Sequence, residues 1–202
     1  RYMTMNDLPG VGQIDRLSFE IPWSQQSFRY EILESDHSYM VVLEYHQSRS
    51  PSRWQRWLHM TPVPKHHIVG YGGMWNVVGE AHISSIAVHP RARGRGWGEI
   101  LLAGMIKRGI IIGADEVALE VRVSNTRAQN LYKKYGFQII GVKPRYYRNN
   151  SEDAYDMRLN ILDEQILKQF EAQYRAIFER HRLFDFFSIS RRPTRSFIVP
   201  DL

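Results

Sequence analysis

The stretch RARGRGWG, residues 91–98, places three arginines and three glycines between an apolar run, SSIAVHP, and an amphipathic run that reads as a helix. A strand, a glycine-rich turn and a helix N-terminus together make an anion-binding geometry. The first-turn N–H groups lack intrahelical acceptors, and the helix dipole adds about half a positive charge at that end. Gly94, Gly96 and Gly98 let the backbone approach phosphate oxygens with no Cβ in the way, and Arg93 and Arg95 can add charge-assisted hydrogen bonds. The mid-chain order R-x-x-G-x-G is not the dinucleotide fingerprint G-x-G-x-x-G. A nucleic-acid surface would interleave basic and aromatic residues along a face, not gather them in one loop.

Other chemistries are excluded by what the chain lacks. With no cysteine there is no disulfide, thiolate zinc site or cysteine nucleophile. His46, His59, His66 and His67 cluster in one segment, but no paired carboxylate on a rigid element accompanies them, so no metal is expected. The net charge of +6 suggests an anionic ligand or surface. No apolar run approaches the ~20 residues that span a bilayer, and no signal-peptide pattern opens the chain, so a cytoplasmic protein without membrane contact is expected.

The elements that must position the loop follow from periodicity. Asp7 is expected to cap a helix running to about Phe19, with Leu8, Val11, Ile14 and Leu17 on one face. Pro22 breaks the helical pattern, and Ser24 caps a second helix ending near Ser35. SYMVVLEY, residues 38–45, reads as a strand. Residues 46–67 carry four cationic side chains, four of the eight histidines, three prolines and no acid, and are expected to form a basic insertion loop. Strands are predicted over 68–78 and 81–89 with a tight turn at Gly79, then a helix over 96–112, a strand over 116–123 and a helix over 126–135 stopped by Gly136. FQIIGVKPRYY and DAYDMRLNI read as a closing hairpin. The order implies an α/β (α+β) fold: a mixed sheet of about six to seven strands flanked by helices. Residues 1–160 form the expected domain, and 161–202 a C-terminal helix and extended tail. The stripe Leu162, Ile166, Phe170, Tyr174 and Ile177 would pack that helix on the domain or pair two copies as a homodimer.

A second block decides the reading of the loop. IPWS at 21–24, SIAVHP at 85–90, RGRGWG at 93–98, LEVRVSN at 119–125, LYKKYGF at 131–137 and the YY with EDAYDM at 146–157 stand in one order. That set resembles the GNAT superfamily of acetyl-CoA-dependent N-acetyltransferases, and within it the RimI and Ard1 type that acetylates protein N-termini. The resemblance covers about residues 1–160. It implies a GNAT fold and acetyl-CoA as cosubstrate, with the diphosphate on the backbone of Arg93, Gly94, Arg95, Gly96, Trp97 and Gly98. It implies pantetheine along Ile86, Ala87 and Val88, a coenzyme contact at Asn125, Glu120 as general base through a water, and Tyr132 as the acid for the departing thiolate. Pro22, Trp23, Tyr146 and Tyr147 are the expected peptide-side residues. Glu99 closes the coenzyme turn where many relatives carry a basic residue, and it is expected to face solvent so as not to repel phosphate.

The implied substrate is a protein or peptide N-terminus, a ribosomal protein in RimI-type relatives. A small amine or lysine side chain is the alternative, followed by a ribosome- or RNA-associated module using loop 46–67.

Overall fold

The computed structural model of the chain describes residues 1–47 and 65–191. Within them lie five α-helices and six strands: α1 (Leu8–Ser18), α2 (Gln25–Leu33), β1 (Ser38–Gln47), β2 (Lys65–Val77), β3 (Glu80–Val88), α3 (Trp97–Ile111), β4 (Glu116–Arg122), α4 (Thr126–Lys134), β5 (Gln138–Tyr147), β6 (Glu152–Asn160) and α5 (Glu164–His181). The strands form one mixed sheet in the order β1-β2-β3-β4-β6-β5. Only β3 and β4 are parallel.

Strand alternation divides the core into two layers. On β1, Met40 and Val42 face the core under α1 and α2, with Val11, Ile14 and Phe28, while Val41 faces the larger core under α3 and α5. On β3 the alternation changes phase. Ala81 and Ile83 face the α3 side, then Ile86 and Val88 do, while Ala87 faces α1 and α2. A shift in the β2–β3 register, with Gly73 opposite Ser85 and Met74 opposite Ile83, leaves Ser84 as the extra residue of a β-bulge.

Helix α3 is buried on nearly all sides from Ile100 to Ile106, because the sheet covers one flank and α5 another. It lies so close to β2 that a Cβ at Gly72 would stand 2.9 Å from the Met105 methyl. The stripe on α5 is packed on the same chain, with Phe170 and Ile177 buried and Ile166 and Tyr174 half-buried, whereas Leu162, ahead of the helix, is exposed. The segment after α5 folds back: Arg108 donates to the Ser188 carbonyl at 2.9 Å, and buried Phe187 meets the Tyr2 ring. Among the described residues no helix is long and apolar enough to cross a membrane.

Three expectations need correction. Asp7 precedes α1 but does not cap it; Pro9 leaves no N–H at the second helical position, and the carboxylate instead accepts from the Thr4 N–H at 2.7 Å and pairs with Arg1 at 2.8 Å. Leu17, in the last turn of α1, is exposed, so the apolar face ends at Ile14. The basic segment is also shorter than 46–67. The β1–β2 ladder shifts register between Leu43 and Glu44 and then extends through His46 opposite His66 and Gln47 opposite Lys65. The remainder of that loop, with His59, and the end of the C-terminal tail lie outside the described residues.

Candidate active site

The turn after β3 is a short 3-10 turn, Pro90–Ala92, followed by two glycines in left-handed conformation, Gly94 at φ +82° and Gly96 at φ +83°. An L side chain at either position would be strained. Gly96 is the residue before α3 and has no side chain to cap it, so the N–H groups of Trp97, Gly98 and Glu99 point out of the helix end without intrahelical acceptors. Together they form an anion cradle. Glu99 does not face solvent, contrary to expectation. Its carboxylate accepts from Lys134 and, at 3.1 Å, from the Tyr135 hydroxyl, which turns its charge toward α4 and neutralises it.

Beside the cradle the sheet opens. Parallel pairing of β3 with β4 ends at Ile83 opposite Leu119, yet both strands continue, so residues 84–88 have no β4 neighbour. A cavity of about 530 Å³ runs from the cradle along Ile86, Ala87 and Val88 to Tyr132. Gly94, Gly96, Trp97, Gly98, Glu99, Asn125 and Arg127 also line it. This shape fits an elongated ligand with an anionic end and amide groups along its length, as acetyl-CoA has: amides face its diphosphate, a strand edge faces its amides, and the nearby acid is neutralised.

A second cavity, about 620 Å³, shares Ile86, Asn125 and Tyr132 with the first and extends over β4. The α1–α2 loop supplies Phe19, Ile21 and Trp23 to its wall, and the end of β5 supplies Tyr146 and Tyr147. Buried Asp15 fixes the first wall by accepting from the Trp23 N–H at 2.7 Å and from the Tyr71 hydroxyl. Trp23 stacks on Trp75 with centroids 6.4 Å apart, and Trp75 stacks on His82 at 5.8 Å. In the other wall the Arg122 guanidinium lies 3.8 Å from the Tyr147 ring centroid.

Glu120 sits in this cavity with its side chain 8% exposed. His82 Nε2 meets one carboxylate oxygen at 3.1 Å, Lys143 Nζ pairs with the other, and His82 Nδ1 meets Glu80 at 2.9 Å. Burial pushes the Glu120 pKa upward, but hydrogen bonds from His82 and Lys143 outweigh it and hold the group at about 2. Glu120 is also what raises His82 above the ordinary histidine value, against its burial, with Glu80 adding to the effect. The Tyr132 hydroxyl is pushed up to about 12, by burial first and by Tyr147 second, so it keeps its proton at neutral pH.

Most of the expected residues are thus brought together. Pro22 and Arg95 are not, since both are exposed and neither lines either of these two cavities. Arg93 lines the first cavity, but its guanidinium is engaged by the Val88 carbonyl at 3.1 Å and the Ser18 hydroxyl at 3.2 Å. Asn125 uses its side-chain oxygen to cap α4, accepting from the Ala128 N–H at 3.2 Å. Sequence reasoning missed His82, Trp75, Lys143 and Arg127. The signal for His82 was present: in EAHISS, Glu80 and His82 alternate onto one face, and the parallel register with His82 opposite Ala118 brings Glu120 within reach. Among the described residues no group of histidine and carboxylate side chains could hold a metal ion.

Comparison with known proteins identifies the family. Residues 8–137 match the acetyltransferase (GNAT) family. A Bacillus subtilis (strain 168) protein is 35% identical over 80% of this chain and 94% of its own, and its name assigns it provisionally as a ribosomal protein bS18-alanine N-acetyltransferase. A Haemophilus influenzae protein, named for the same activity without that qualifier, is 33% identical over 68% of this chain and 86% of its own. The crystal structure of the ribosomal-protein-S18-alanine N-acetyltransferase from Escherichia coli superposes with a TM-score of 0.60 at 25% identity, covering 80% of this chain and 92% of that one. The chain therefore belongs to the acetyltransferase (GNAT) family and is an acetyl-CoA-dependent N-acetyltransferase.

Proposed function

We propose that this GNAT-family enzyme acetylates the N-terminal α-amine of a protein, with a ribosomal-protein N-terminus as the first candidate substrate. The names of the relatives motivate the candidate, and the state of Glu120 carries the choice of amine. A carboxylate held at about 2 by hydrogen bonds from His82 and Lys143 is a weak proton acceptor. An α-amine with a pKa of about 7.7–8.0 is neutral in roughly a quarter to two fifths of molecules at pH 7.5, whereas a lysine near 10.4 is neutral in about one in a thousand. A site without a strong base suits the first. The Lys143 ammonium beside Glu120 also disfavours a polyamine.

In this reading residues 1–160 are the catalytic unit, working in the cytoplasm. The amides of residues 94–99 and the free edge of residues 86–88 hold acetyl-CoA, which supplies the acetyl group as a thioester. Arg127, which lines the same cavity, adds positive charge there. Trp23, Tyr146 and Tyr147 guide the peptide end to the cavity, and Glu120 with His82 orients its amine through water, the amine proton leaving to solvent. Tyr132 stands where the two cavities meet and holds the proton that the departing sulfur takes.

The test is acetyl transfer to two peptides of one sequence, one with a free N-terminus and an N-blocked one bearing an internal lysine, read by mass. Product only on the free N-terminus is expected. Acetylated lysine as the dominant product would overturn the assignment.

A further inference from the structure

We infer that the last turn of α5 braces the anion cradle, and that His181 is a positioning residue for acetyl-CoA. This rests on the coenzyme reading of the cradle. The family match ends at residue 137, and α5 lies beyond it. Yet His181 Nε2 is 3.3 Å from where a Cβ on Gly96 would stand, and its ring lies 5.4 Å from that of Trp97. The Tyr45 ring contacts Trp97 too, at 6.2 Å, so the first residue of α3 is held from β1 and from α5. Helix α5 is itself fixed to both helices that frame the coenzyme cavity. Glu171 pairs with Lys107 of α3 at 2.5 Å, and the Gln173 amide donates to the Lys134 carbonyl of α4 at 3.2 Å.

The physical need for a brace comes from Gly96. Its φ of +83° presents the amides correctly, but glycine leaves that conformation at little cost. A free loop would have to be ordered on binding, at the expense of affinity, whereas a loop already held binds more tightly. His181 therefore acts on coenzyme affinity and not on the acyl-transfer step, which belongs to the other side of Tyr132.

The experiment is calorimetry of CoA binding with steady-state kinetics and amide hydrogen exchange on the full chain. His181→Ala should raise Kd for CoA and KM for acetyl-CoA about five- to tenfold, leave kcat within about twofold, and speed exchange at 94–99. His181→Phe, which keeps a ring against Trp97, should recover most of the affinity. If wild type binds CoA and His181→Ala binds it equally well, the brace is wrong and the coenzyme reading stands. A loss confined to kcat would also overturn it, as would a Phe variant no better than Ala. A wild type that does not bind CoA at all would overturn the coenzyme reading and the brace with it.

Discussion

The cavity along residues 86–88 is set by two backbone features, a helix end and an unpaired strand edge, whereas the cavity over Glu120 is set by a linked group of charged and aromatic side chains. The first takes its character from where β3 and β4 part and from two left-handed glycines. It can therefore recognise a ligand common to a large family while its side chains vary. The second takes its character from an ionic ladder across the sheet, Glu80–His82–Glu120–Lys143, with Trp75 and Trp23 stacked behind His82. Its charge state is the sum of those partners, and there a single chain can set its own substrate. Tyr132 belongs to both.

That division predicts separable damage. Tyr132→Phe should lower kcat the most, by about 10²- to 10³-fold, with Kd for CoA unchanged, because in the proposed mechanism the hydroxyl acts only as the sulfur departs. Glu120→Gln should reduce kcat/KM for peptide about 100-fold and again spare the coenzyme. Gly96→Ala should do the reverse. Forcing an L residue to φ +83° costs about 1–2 kcal/mol, so Kd for CoA should weaken roughly tenfold while kcat survives. Equal loss in kcat and coenzyme affinity from any of the three would dissolve the distinction between the cavities.

A subtler test uses protons. Glu120 is depressed from 4.5 to about 2 in the folded state, so its pairs stabilise the fold above about pH 4.5, and that contribution is lost as pH falls toward 2. His82 is raised, so its contribution is full below about pH 6.5 and is lost as pH rises through its folded value. Lys143→Met should raise the Glu120 pKa and shrink the stability difference between pH 7 and pH 3 in urea unfolding. In activity, kcat/KM should rise with pH as the peptide amine deprotonates, with no limb near pH 4–5 from Glu120. The smallest effect is expected at Arg95→Ala: exposed and outside both cavities, it should change Kd for CoA less than about twofold.

The backbone-built region was the more legible in sequence, and for a physical reason. Glycine spacing, the strand before it and the helix after it are local properties, so the cradle and α3 follow from neighbouring residues. The edge at 86–88 instead depends on where the distant strand β4 parts from β3, and is implied in sequence only by the family resemblance. The corrections fall where a distant partner decides. Glu99 is turned by Lys134 and Tyr135, Arg93 is taken by Ser18, and Asp7 by Arg1. Glu120 was identified from its motif, but its proton affinity depends on His82, from another strand, and on Lys143, twenty-three residues later. The phase change in β3 at Ser84 is likewise invisible until the β2 register is known.

The most direct test is a crystal structure with a peptide whose N-terminal nitrogen is linked through an acetyl group to the sulfur of CoA. The account predicts the diphosphate on the amides of residues 94–99, the sulfur beside the Tyr132 hydroxyl, and the peptide nitrogen facing Glu120 and His82. A diphosphate bound elsewhere, or a peptide that leaves by a path away from Glu120, Trp23 and Tyr146, would contradict it.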